Sequence, residues 1–425
     1  MIRSFKRCLF PFVLFFIFAF PKAGFYFHGL PICFSMILIV ITAGYFFLSN
    51  FFQKKLLRPI FPMMVALVCF AFLILALSYL SHYSVWKDYC VILVAAVVFP
   101  VSGLLIGGHI GREGISASVS HALLIALWVV VLFGLASFIA TNVFGIVIGV
   151  PFLTETGGDL FGFIGKDNLR IFVVKACSTY NNGNLLGMGL LIWAPLVYYG
   201  LQRRAVVLRV ATQILLCFTF SRTIWTGLIA SEFFYHYREG IKVILKSLLG
   251  VIVFLLLINF IVHLHIFNYY SLEIVPTMPH FAFWVHMPPA TGMAAGNAIS
   301  FLDDTSLGGR LPQLLAFLHA HWLPQLATPI SPLPKEMLYA QWASKYGYLV
   351  MLFFAAIYSA PLLLCKPKNT LMRVCRYAMS TYLVVMAIDA GFVLVPVQFY
   401  YWCVMGIYFG LSEHEKRKVV DAHSL

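Results

Sequence analysis

Uninterrupted apolar runs of about twenty residues recur along this chain, and a run of that length crosses a bilayer as a single helix. They fall near 8–27, 30–50, 60–81, 89–107, 117–141, 185–201, 205–220, 223–236, 243–266, 346–365, 374–389 and 391–411. Gly, Pro, Asn or clustered charge separates them. Of 425 residues, 62% are hydrophobic and 10% charged, with a mean hydropathy of +0.92. Soluble domains carry roughly 45–50% apolar and ~25% charged residues, so a water-soluble fold would lack polar groups to cover its surface. Disorder fails on the same figures. Membrane β-strands alternate over about ten residues, whereas these runs are continuous. The expectation is an all-α polytopic membrane protein of about 12 transmembrane helices.

The formal charge of +14 has a topological origin under the positive-inside rule. With both termini in the cytoplasm, most of the basic residues fall inside: Arg3/Lys6/Arg7, Lys54/Lys55/Arg58, Arg112, Arg203/Arg204/Arg209, Arg238/Lys242/Lys246, Lys366/Lys368/Arg373/Arg376 and Lys416/Arg417/Lys418. The excess positive charge then belongs to the cytoplasmic face, and no nucleic-acid partner is needed. Arg3, Lys6 and Arg7 before an apolar stretch to Phe20 resemble a signal peptide, but no A-x-A site follows, so the segment reads as an uncleaved first helix. Nine scattered cysteines with no CxxC read as small buried hydrophobes, not as a disulfide framework or zinc site.

This map divides the chain into N-terminal transmembrane helices (1–141), an outer loop (142–184), central transmembrane helices (185–266), a large outer loop containing helices (267–345), and C-terminal transmembrane helices with a cytoplasmic tail (346–425). The stretch 205–237 has basic clusters on both flanks, so it crosses an even number of times. Its length predicts a hairpin of two short helices with Ser221-Arg222-Thr223 at the outer tip. An arginine there is costly unless it meets a polar cavity or a charged partner, which makes Arg222 a functional candidate. Snorkelling to lipid headgroups is the plainer reading.

In the large loop, Ser306 to Trp322 reads as a helix with Leu311, Leu314, Leu315, Leu318 and Trp322 on one face. Arg310 opens it, and His319 and His321 close it. Arg222, Arg310 and Arg170 are thus three outer arginines at structured positions. The guanidinium fork matches phosphate oxygens, so arginines converging at an outer membrane surface suit a lipid-linked pyrophosphate. The equal alternative is that they pair with Asp303, Asp304 or Asp167 and only fix loops. The pairs His263-x-His265 and His319-x-His321 point apart on a helix and lack an accompanying acid or thiol cluster, so no metal and no cofactor is expected. Gly107-Gly-His-Ile-Gly-Arg-Glu-Gly114 lacks the Lys-Ser/Thr of a phosphate loop and reads as a flexible cytoplasmic turn. Glu336, just before an expected span Tyr339–Cys365, is placed either as a general base at the membrane mouth or as an ordinary helix N-terminal acid.

Four segments, taken together, resemble the O-antigen ligase and O-antigen polymerase superfamily. Phe218-Thr-Phe-Ser-Arg-Thr223 is similar to its Ser/Thr-Arg turn, and Ser306-Leu-Gly-Gly-Arg-Leu311 to the Gly-x-Arg-Leu segment that opens its periplasmic helix. Tyr180-Asn-Asn-Gly-Asn-Leu-Leu-Gly187 resembles its Asn-rich lead into a span, and Leu338-Tyr-Ala-Gln-Trp-Ala-Ser-Lys-Tyr-Gly347 the segment after the large loop. Their order and spacing agree over about 175–365.

The resemblance implies an inverting, metal-independent, membrane-embedded glycosyltransferase of GT-C-like architecture. It would sit in the bacterial inner membrane, transferring glycan from an undecaprenyl-pyrophosphate-linked oligosaccharide to a glycan or lipid A–core acceptor at the periplasmic face. It further implies that Arg222 and Arg310 hold the pyrophosphate, with Arg170 a further candidate. The family's ligases carry a His-Asn pair eleven residues before the Gly, where this chain has Glu336-Met337. Either Glu336 replaces that His as the base, or His319 or His321 supplies it. The usual acid two residues before the Gly is Lys345 here. These departures favour a polymerase over a ligase, and a transporter or flippase of lipid-linked sugars stands as a more distant alternative.

Overall fold

The computed structural model describes residues 9–27, 30–52, 60–156, 169–170, 173–201, 205–237, 284–286, 310–326, 329–334, 337–389, 391 and 395–423, with single positions between 240 and 253. It is predominantly helical. In chain order the helices are α1 (Phe10–Ala19), α2 (Phe34–Phe52), α3 (Ile60–Leu80), α4 (Trp86–Glu113), α5 (Ala117–Phe144), α6 (Gly183–Leu201), α7 (Val206–Cys217), α8 (Arg222–His236), α9 (Arg310–Leu318), α10 (Leu338–Tyr346), α11 (Tyr348–Leu364), α12 (Thr370–Met386) and α13 (Val395–His423). Among the described residues four helices, α3, α4, α5 and α6, are long and apolar enough to cross a membrane. The helices α1, α7 and α11 and the stretch Phe34–Ser49 of α2 are apolar but shorter. Among the described residues there are also three two-stranded antiparallel ribbons. They pair β1 (Gly24–Phe27) with β2 (Leu30–Cys33), β3 (Ile146–Ile148) with β6 (Trp284–His286), and β4 (Leu169–Arg170) with β5 (Val173–Val174).

Several boundaries differ from the sequence reading, each for a local reason. The run 8–27 holds only the ten residues of α1, because Pro21 follows it and the chain turns into the β1–β2 ribbon. The Gly107–Gly114 tract is not a flexible turn: it is helical to Glu113, inside α4. Its glycines serve helix packing. Gly103, Gly107 and Gly111 repeat every fourth residue and lie along one stripe of α4, facing Gly406 and Gly410 of α13. A Cβ built on Gly107 would stand 2.0 Å from the Cys403 carbonyl oxygen, and one on Gly410 2.5 Å from that of Gly108. The expected span Tyr339–Cys365 is broken at Gly347 (φ +85°), where a Cβ would come 2.6 Å from the Trp322 carbonyl oxygen. At the C-terminus, α13 runs twelve residues beyond the expected end at 411. Most of the run 243–266 and, apart from 284–286, all of 267–309 lie outside the described residues.

The chain divides into two compact units. One comprises 1–38, 117–190 and 202–304, the other 39–116, 191–201 and 305–425. The first is built on α5, which packs on α1 and admits α7 at Gly134, where a Cβ would meet Leu215 Cδ1 at 2.8 Å. In the second, the α4–α13 pair forms the centre. Beside it a buried amide, Gln398, accepts from Tyr358 Oη at 2.6 Å and from Trp402 Nε1 at 3.2 Å, and donates to Tyr382 Oη at 2.9 Å. A buried amide left unsatisfied would destabilise an apolar core; here both ends are used.

Candidate functional site

The first unit holds the arginine-tipped hairpin. α7 and α8 are joined by a turn over 218–221, as the flanking charge clusters predict, and Arg222 is the first residue of α8. The turn is docked. Phe218 stacks on Phe138 of α5 with centroids 4.2 Å apart, and its carbonyl accepts from Ala176 N at 2.9 Å. Phe220 adopts φ +46°, a region a bulky side chain enters at a cost of about 1–2 kcal/mol. Burial of its ring among Phe138, Phe218 and Trp225 holds it there, and the Trp225 indole donates to the Cys217 carbonyl at 3.0 Å. Arg222 as a residue is half-buried.

Against this turn lies the Asn-rich tract, and its asparagines have distinct tasks. Asn182 caps α6, its Oδ1 accepting from Asn184 N at 2.9 Å and Leu185 N at 3.1 Å. Asn181 takes the left-handed conformation (φ +59°) that turns the chain into the helix. Asn142, fully buried at the end of α5, clips Val174 with two hydrogen bonds, accepting from its N at 2.8 Å and donating to its O at 3.0 Å. The outcome is that the N-terminal turns of α6 and α8 lie side by side: a Cβ on Gly187 would meet Ile224 Cγ1 at 2.5 Å. Two helix N-termini, each equivalent to about half a positive charge, therefore adjoin.

Sequence reasoning missed the third member of this locus, Lys175. It is 3% exposed, its ammonium donates to Asn184 Oδ1 at 3.4 Å, and its stem lies on Gly183. Glu155, also 3% exposed, lines with it a small polar cavity that includes Thr141, Asn142, Ser178 and Asn181. The space open to the centre of a water molecule is about 20 Å³, room for about one water. The Cys177 thiol beside it is pushed up to about 12 by burial, against the opposing pull of the Lys175 charge. A signal for Lys175 was present in the sequence, since it stands alone between Val173-Val174 and Ala176-Cys177. A lone lysine in an apolar stretch is either at a surface or held by partners.

The other sequence candidates belong elsewhere. Arg170 closes β4, in register with Val173, and its side chain lies outside the described residues. In the second unit Arg310 opens the described part of the loop helix, and its Nε donates to the Ile388 carbonyl at 3.2 Å, just past the end of α12. The helix ends at Leu318, before the expected Trp322 and ahead of Pro324, and residues 301–309 lie outside the described residues. His319 and His321 are exposed beyond its last turn. His319 Nδ1 lies 2.8 Å from the Leu315 carbonyl. A carbonyl only accepts, so Nδ1 is the donor in this contact and Nε2 takes no part in it. Lys345 donates to the carbonyls of Ser331 (3.1 Å) and Leu333 (2.9 Å), a structural clamp on the loop ahead of α10. Glu336 lies outside the described residues.

Chemically, the first unit offers Arg222 and two helix N-termini, suited to an anion, while the buried Lys175 shares its cavity with the Glu155 carboxylate. The second offers an exposed imidazole and an arginine at a helix start. Comparison of the chain with protein-family models, with characterised proteins and with solved structures finds no match.

Proposed function

We propose that the chain is a membrane-embedded glycosyltransferase that polymerises undecaprenyl-pyrophosphate-linked O-antigen or related surface-polysaccharide repeat units. The reading includes about twelve spans, cytoplasmic termini, a GT-C-like architecture and a reaction at the periplasmic face of the bacterial inner membrane. The observation that carries it is the pairing of two separated sequence segments. Phe218–Thr223 and Tyr180–Gly187, singled out for their resemblance to one superfamily, are brought together by contacts at their flanks, the Ala176–Phe218 hydrogen bond before the one segment and the Gly187–Ile224 contact just after the other. The same pairing sets Arg222 and Lys175 beside two helix N-termini.

In such a reaction the acceptor hydroxyl attacks the anomeric carbon and gives its proton to a base. The carbon–oxygen bond to the pyrophosphate breaks, and the bonding electrons leave with undecaprenyl pyrophosphate. Negative charge grows on the leaving group, so preorganised cations there lower the barrier more than any other single device. Arg222 is assigned that role, with the helix ends adding to the field. Arg310 enters as the second arginine on the sequence resemblance. The base is one of His319, His321 and Glu336, and the exposure of His319 with its Nδ1 anchored on the Leu315 carbonyl supports it among these. Lys345, committed to two carbonyls, is not a base.

The test uses purified protein and undecaprenyl-pyrophosphate repeat units, with lipid A–core added or omitted and products resolved by size. The expected result is a ladder without lipid A–core. Product only when lipid A–core is present would make the chain a ligase of the same superfamily, and transport without product would replace the enzyme reading with a flippase.

A further inference from the structure

The helix α9 has three faces. Toward the protein it turns Arg310, Gln313 and Phe317, all half-buried. The Phe317 ring meets Tyr348 edge-on at 5.4 Å, and the Gln341 amide donates to Gln313 Oε1 at 3.5 Å. A second face carries Leu314 (43% exposed), Leu315 (50%) and Leu318 (64%), and it continues past the helix end to Trp322 (64%) and Leu323 (65%). Between these two faces on the far side stand Pro312, Ala316 and His319, which are also exposed. No Asp or Glu occurs from 310 to 334, whereas Arg310, His319 and His321 all do.

The apolar face leads directly onto α11, one of the shorter apolar helices. Tyr348 N donates to the His321 carbonyl at 2.9 Å and Leu349 N to that of Trp322 at 3.3 Å, which fastens this segment to the first turn of α11. On α11, Leu349 (51%), Leu352 (49%) and Phe353 (39%) face outward, so the apolar surface is continuous from one helix to the other. The same end of the unit is joined to the end of α3 by the Ser78–Tyr346 hydroxyl pair at 2.6 Å and by Ile330 N donating to Ser81 Oγ at 2.8 Å. Tyr79 (70% exposed) and Trp86 (77%) stand at that corner, beside Tyr83 and Tyr89. Exposed Trp and Tyr at the end of a spanning helix mark the level of a bilayer surface.

We propose that α9 and Trp322–Leu323 lie in the plane of the membrane at this level, with Leu314, Leu315, Leu318 and Trp322 sunk among lipid chains and Ala316 and His319 in water. Lipid is the occupant because the exposed face continues the outward apolar surface of α11, lies at the level marked by the exposed Tyr79 and Trp86, and has beside it Arg310, which complements phosphate headgroups. This seating does not depend on the glycosyl-transfer reading. If both hold, Arg310 is kept at the depth of lipid phosphates.

The experiment places a nitroxide, singly, at 315, 316 or 318 through an introduced keto side chain, so that the native cysteines stay in place. The full-length protein is reconstituted in vesicles of phosphatidylcholine and phosphatidylglycerol. Collision with oxygen, which concentrates in lipid, is compared with collision with a water-soluble nickel chelate. Oxygen should dominate several-fold at 315 and 318, and nickel at 316. Nickel dominance at 315 and 318 would show a water-exposed helix, and low collision with both reagents there would show a protein partner; either overturns the proposal. A second measurement covers disruption by the label. Trp322→Phe should remove part of the tryptophan emission quenched by lipids brominated near the headgroup, and an unchanged quenched fraction overturns the seating.

Discussion

Lys175 and Cys177 show what a few buried polar atoms do to this unit at the scale of single residues. Burial disfavours the Cys177 thiolate, and Lys175 offsets that only in part, so the thiol remains protonated well above its ordinary pKa of 9.0. Two results follow. At pH 8 a maleimide should leave Cys177 unmodified in the folded protein and modify it after denaturation, read by mass spectrometry of its peptide. The sign of the linkage is also fixed. Between the unfolded pKa near 9 and the folded value of about 12 the folded chain holds the extra proton, so this group's contribution is constant below pH 9 and stability falls as pH rises through that window. Unfolding midpoints that rise between pH 9 and 11 would contradict it. The residue scale is also where the sequence was least informative. Arg222 and Arg310 were legible because a cation in an apolar setting stands out. Lys175 was hidden, because its partner Asn184 is ordinary in sequence and the cavity it shares with Glu155 forms only through the fold.

Pairs of helices explain most of the packing, and two of them make testable statements. The α4–α13 contact is set by backbone against backbone, which leaves nothing flexible to yield. Gly107→Ala should therefore destabilise by about 1–3 kcal/mol or more, measured as a lower thermal midpoint in detergent. Gly44→Ala in α2, where a Cβ meets nothing within 4 Å, serves as the neutral control. Equal midpoints for the two variants would remove the close-packing account.

In the α7–α8 hairpin the link is polar. Arg209 Nη2 lies 2.7 Å from Glu232 Oε2 and 3.0 Å from His236 Nε2, and Gln213 donates to Glu232 Oε1 at 2.6 Å. Glu232 is 3% exposed and Arg209 26%. Removing one partner of a buried pair costs about 3–5 kcal/mol, and the partial exposure of Arg209 puts Glu232→Leu at the low end. Glu232→Gln should recover part of the loss, since it keeps an acceptor for Arg209; a wild-type midpoint for Glu232→Leu would contradict the role. The hairpin itself was readable from its flanking charges and length. The helical nature of Gly107–Gly114 was not, because isolated glycine runs read as turns until a partner stripe such as Gly406–Gly410 is seen against them.

At the scale of the whole molecule, composition alone specifies helices in an apolar setting, and four described helices have the length and character to cross a bilayer. Run lengths overstate regularity, since hydropathy does not register a break such as Pro21 or Gly347, where the apolar character continues while the backbone turns. The glycosyl-transfer reading joins these scales: a hairpin tip, a capped helix start and a buried lysine are brought together from segments some forty residues apart.

Its most direct test is product formation by the Arg222→Ala and Arg310→Ala proteins, each first shown to insert and to unfold like the parent. They would be assayed on undecaprenyl-pyrophosphate repeat units beside the unaltered protein. The expected result is a ladder from the parent, with product from each variant reduced by about two to three orders of magnitude, the scale of losing one group that stabilises transition-state charge. A ladder of normal length and rate from both variants would contradict the role assigned to the arginines and, with it, the account of this chain as a pyrophosphate-dependent glycosyltransferase.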